Sequence, residues 1–107
     1  MLIRSQNKEY LCNIKAVYGV SYQEVNDYKR GKVEKTNHEI CVDTGVVDSI
    51  GVYSTKEKAL KVLDMIQEAY QEPIYQNDLG CNDIGYNEIA IYKSKVFQMP
   101  KDEEVEE

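Results

Sequence analysis

The stretch from Ser54 to Pro73 constrains the fold more than any other part of the chain. Ser54, Thr55, Lys56 and Glu57 have the spacing of a capping box, in which the Ser54 hydroxyl accepts from the Glu57 amide and the Glu57 carboxylate reaches back to the cap. Ala59, Leu60, Val62, Leu63, Ile66, Ala69 and Tyr70 then recur at three- and four-residue spacing, which makes one helical face apolar. Pro73 cannot continue a helix and ends it. The pattern predicts an amphipathic helix over about residues 55–71. Such a stripe must be buried against another element, and the rest of the chain offers strands.

Leu2 to Ser5 is a short apolar start, and Tyr10 to Ile14 follows the turn-like Gln6-Asn7-Lys8-Glu9. Tyr18, Val20 and Tyr22 alternate with smaller or polar neighbours, as on a half-buried strand. The charged stretch from Asn26 to Asn37 holds Gly31 and reads as a hairpin connection, with Glu39-Ile40-Cys41-Val42 bringing the chain back. Asp43-Thr44-Gly45 signals another turn, and Val46 to Tyr53 runs as a strand into the helix cap. Residues 73–87, with Pro73, Gly80, Gly85 and several Asn and Asp, have the composition of a long surface loop. Ile89, Ile91 and Lys93 alternate with Ala90 and Tyr92, a pattern that suits a hairpin partner for Val96-Phe97-Gln98-Met99. Strands around one helix, without regular strand–helix alternation, predict an α+β fold with a mostly antiparallel sheet.

At 107 residues the chain fits one domain, expected over residues 1–100. Five of its 19 acids lie in the last six residues, leaving 14 acids against 13 bases elsewhere, so residues 101–107 read as a disordered acidic tail on a nearly neutral body. No run approaches the length of a membrane span, and the first residues do not form a signal peptide. Cys12, Cys41 and Cys81 are odd in number and widely spaced, which argues against a disulfide framework and for a reducing cytosol.

Three stretches carry a resemblance. The opening Met1-Leu2-Ile3-Arg4-Ser5-Gln6-Asn7-Lys8, the segment Ile50-Gly51-Val52-Tyr53-Ser54-Thr55 through Ala59-Leu60-Lys61-Val62-Leu63-Asp64-Met65-Ile66-Gln67, and the ending Val96-Phe97-Gln98-Met99-Pro100 together resemble a group of small, mostly uncharacterised proteins of Gram-positive bacteria and their phages. The resemblance covers roughly a third of the chain, and its motifs are structural. It implies a phage or mobile-element setting and a bacterial cytoplasm, and it carries over no catalytic or binding residue.

His38 and Cys41 have the spacing of two ligands of a metal arm, which Cys12 and Cys81 could complete, but ordinary packing explains all four, so no metal or cofactor is expected. The same His38 and Cys41 lack an orienting group and an oxyanion donor for nucleophilic catalysis, and Gly80-Cys81-Asn82-Asp83-Ile84-Gly85 lacks the lysine of a phosphate-binding loop. An enzyme is therefore not expected. Lys29, Arg30, Lys32 and Lys35 form a basic cluster beside Tyr28, too small a footprint for duplex nucleic acid on a chain with an acidic end.

Binding without chemistry remains. Tyr18, Tyr22, Tyr28, Tyr75, Tyr86 and Tyr92 exceed what so small a core can bury, and Arg30 and Lys32 supply nearby cations, so these eight residues are the expected binding set. The expected function is a non-enzymatic binding protein of phage type that modulates a host defence pathway by stoichiometric docking on a host protein. The alternative is a homo-oligomer that sequesters a nucleotide-like signal, with Tyr rings on the base and Arg30 on phosphate; a small enzyme or a zinc-binding module is the third reading.

Overall fold

The computed structural model describes residues 1–70 and 96–107. Among these residues the strands are β1 (Leu2–Arg4), β2 (Leu11–Asn13), β3 (Gly19–Lys29), β4 (Lys32–Asp43), β5 (Val47–Tyr53) and β6 (Val96–Gln98), with one α-helix, α1 (Lys56–Tyr70), and single 3-10 turns at Ile14–Ala16 and Asp102–Glu104. They form two three-stranded sheets ordered β2-β1-β6 and β3-β4-β5. Every pairing is antiparallel except β1 with β6. The fold is α+β, with α1 packed on the β3-β4-β5 sheet.

The helix follows its predicted stripe, since Ala59, Val62 and Ile66 are buried and Leu63 packs beside them. Leu60 and Tyr70 are the exceptions and are exposed. The cap lies one residue later than the sequence suggests: the Thr55 hydroxyl, not that of Ser54, accepts from the Lys58 amide at 3.1 Å. Ile40, Val42, Ile50 and Tyr53 meet the helix from the larger sheet, and Ile3, Cys12 and Met99 join the same core from the smaller one. Gln6 ties the sheets together. Its amide donates to the Ile50 carbonyl, and its side chain accepts from the Val52 amide and donates to the Val52 carbonyl, as a neighbouring strand would.

Two expectations are corrected here. Residues 101–107 are not a disordered tail. Val105 is 5 % exposed within the core, Asp102 accepts from the Ser54 amide at 2.8 Å and lies 3.7 Å from the Lys58 ammonium, Lys61 donates to the Glu106 carbonyl, and Glu107 meets the Thr55 hydroxyl. The physical reason is complementarity: a helix N-terminus attracts carboxylates, and Lys58 and Lys61 supply cations beside it. The stretch from Asn26 to Asn37, expected as a hairpin connection, does hold the hairpin turn, but only Arg30 and Gly31 are the connection and the rest is strand. The β3–β4 ladder runs through it to Lys29 and Lys32, with a register shift between Asp27 and Tyr28.

The expected loop at residues 73–87, the strand pattern of Ile89 to Lys93, and Tyr75, Tyr86 and Tyr92 lie outside the described residues. Val96–Gln98 pairs with β1, in parallel.

Candidate functional site

The site follows from the unequal lengths of three strands. β5 pairs with β4 only from His38 to Asp43, so the hairpin beyond Glu24 and His38 has no third strand among the described residues. At about 3.4 Å per residue, the ribbon extends roughly 20 Å past the end of β5. It has no buried face, and polar pairs lace it instead. Thr36 donates to the Asn26 side chain at 2.8 Å, Asn37 to Asp27 at 3.0 Å, and Lys29 lies 4.0 Å from Glu34. Arg30 and Gly31 close the ribbon as a two-residue turn, both at positive φ (54° and 77°). That geometry suits the twist of the flanking strands, and only Arg30 carries the strain of a side chain in the left-handed region.

The tip concentrates charge and exposed apolar surface. Tyr28 and Val33 are cross-strand partners, 65 % and 51 % exposed, and the next pair, Lys29 with Lys32, flanks Arg30 in the turn. Lys29, Arg30, Lys32, Val33 and Glu34 line an open cleft of about 420 Å³. Of the sequence-derived set, Tyr28, Arg30 and Lys32 are therefore brought together.

Tyr18 and Tyr22 stand elsewhere. Tyr18 is 83 % exposed just before β3. Tyr22 lies six positions from Tyr28 along β3, roughly 20 Å away, and packs at the foot of the ribbon. Its ring stacks on His38 with centroids 6.0 Å apart at 12°, its hydroxyl sits 2.7 Å from His38 Nδ1, and Lys56 Nζ is 5.6 Å from its centroid. Desolvation, with Glu24 and Glu57 nearby, pushes the Tyr22 phenol above its ordinary range, so it is a hydrogen-bonding group and not a base.

The same geometry bears on the metal and nucleophile readings. His38 lies within β4, where side chains alternate between faces, so it and Cys41 point to opposite sides. Cys41 and Cys12 are both buried, and desolvation pushes their thiols up, away from reactive thiolates. Among the described residues no group of three or more His, Cys, Asp or Glu side chains could hold a metal ion.

Sequence reasoning missed a second cleft, of about 290 Å³, between the ribbon and the C-terminal segment, lined by Lys35, Thr36, Asn37, Val52, Tyr53, Ser54 and Asp102. The signal for it was Asp102, hidden among the terminal acids. Among the described residues no helix is long and apolar enough to cross a membrane. No family model, curated protein or solved structure matches the chain.

Proposed function

We propose that the protein is a non-enzymatic binding module that docks on an acidic surface of a partner protein through the tip of the β3–β4 ribbon. One observation carries the reading: a ribbon without a buried face projects an exposed cross-strand pair, Tyr28 and Val33, next to a turn that carries Lys29, Arg30 and Lys32, and Val33 shares an open cleft with these three cations. A desolvated aromatic centre with a cationic rim is how interfaces are commonly built. The partner is a protein of the bacterial host, bound one to one, and the outcome is modulation of a host defence pathway; this setting rests on the resemblance of the three structural stretches to phage and Gram-positive proteins.

The nucleotide-sequestering reading has less support within one chain, because Tyr22 and Tyr28 are too far apart to sandwich one base. The test is capture from a bacterial lysate with the native chain and with the double variant Arg30→Glu, Lys32→Glu. Docking at the tip predicts a partner held by the native chain, released by the reversed charges, and weakened by salt. Equal capture by both chains removes the tip from the interface.

A further inference from the structure

The outer edge of β3 is unpaired among the described residues. Among them β3 pairs only with β4, and its edge carries no proline and no lysine before Lys29, the usual devices that blunt a free strand. Val52 turns its amide and carbonyl away from β4 toward Gln6, so Val52 and its partner Glu39 form a non-hydrogen-bonded pair, and Glu39 must bond across to Gln23 on β3. By alternation along the ladder, Tyr22, Glu24 and Asn26 direct their amides and carbonyls outward.

We infer that this edge pairs with the same edge of a second copy of the chain, antiparallel about a twofold axis at Val25. Such an axis must place some residue opposite itself, because residues facing each other across it share a side of the sheet. Centring on Glu24 or Asp27 sets like charges face to face. A centre at Asn26 puts Val25 against Asp27, and one at Gln23 puts Tyr22 against Glu24 and Val25 against Ser21.

Centring on Val25 places Val25 against the partner's Val25, Tyr22 against the partner's Tyr28, Glu24 against the partner's Asn26, and Gln23 against the partner's Asp27. No like charges meet, and apolar groups face apolar groups. The outward amides and carbonyls of Tyr22, Glu24 and Asn26 fall in the bonding positions of this register. It also gives the ribbon further strands, which two strands alone need for stability.

The pairing takes up Tyr28 of the tip and leaves Lys32 and Val33, which lie on β4 on the other side of the ribbon, open to a docking partner. It also assembles what one chain lacks. The partner's Tyr28 and the partner's Arg30 come alongside Tyr22 and its stacked His38.

The test combines mass in solution with a register-specific cross-link. Sedimentation of the full chain over a concentration series should show twice the single-chain mass, and Val25→Lys should return it to a monomer with unchanged far-UV circular dichroism. Val25→Cys should form a disulfide-linked dimer on mild oxidation, because non-hydrogen-bonded partners bring their Cα atoms to about 4.5 Å, within disulfide reach. Gln23→Cys and the native chain, with its own three cysteines, should not. A monomer at all concentrations, a Val25→Cys chain that stays unlinked, or preferential linking through Gln23→Cys each overturns the proposal.

Discussion

Removing residues 102–107 should destabilise the domain by about 2–3 kcal/mol, the opposite of what a solvated acidic tail implies. Val105 is 5 % exposed in the core, and withdrawing a buried valine costs roughly 1.5–2 kcal/mol. Asp102 bonds the Ser54 amide and Lys58, but its side chain is 38 % exposed, so after solvent screening these contacts are worth about 0.5–1 kcal/mol. Glu106 and Glu107 are exposed and add little. In a domain of this size each kcal/mol moves Tm by about 4–8 °C, so the truncated chain should melt roughly 10–20 °C lower.

The assay is thermal unfolding followed by far-UV circular dichroism, checked by urea titration. Val105→Ala should reproduce about half of the loss or more, whereas Glu103→Ala, at an exposed position, should stay within about 0.5 kcal/mol of the native chain. A truncated chain that melts within about 2 °C of the full one refutes the packing role of the segment.

The remaining predictions concern the same corner of the molecule. The Ser54 amide, with Lys58, holds the Asp102 carboxyl below its ordinary 3.8, so its contribution is present above that pH and is lost as pH falls further; Asp102→Asn should flatten this part of the acid-unfolding curve. Tyr53→Phe removes a 2.8 Å bond to the Pro100 carbonyl, which still accepts from Gln6, so the loss should be about 0.5–1.5 kcal/mol in urea titration. Burial, with Asp102 and Glu104, raises the Tyr53 phenol above its ordinary 10.0, so its contribution fades as pH rises past that value; the Phe variant should lack this alkaline loss. Gly51→Ala sets a methyl 3.0 Å from both Met99 Cε and the Tyr53 ring, and because Tyr53 is anchored through its hydroxyl, the thermal midpoint should drop by the equivalent of about 1–3 kcal/mol.

How far each element could be read from sequence depends on whether its signal is local. The helix stripe at Ala59, Val62 and Ile66 was legible because a buried face imposes its period on neighbouring residues. The ribbon was not, since a strand exposed on both faces has no apolar alternation; Asn26 with Thr36 and Asp27 with Asn37 become pairs only once the register is known. The cap shifted from Ser54 to Thr55 where a carboxylate from the far end of the chain takes the Ser54 amide. That same distance hid Val105 among five acids. At the candidate site, Tyr28, Arg30 and Lys32 could be grouped because a two-residue turn keeps sequence neighbours adjacent, whereas Tyr22 was assigned to them by residue type alone and belongs with His38 and Lys56. Composition identified the surplus of tyrosine, but only strand pairing decides which rings can act together, and within one chain Tyr22 and Tyr28 cannot. A second copy paired along β3 is the arrangement that would unite them, so the oligomeric state is the measurement on which the choice between tip docking and a shared aromatic pocket turns.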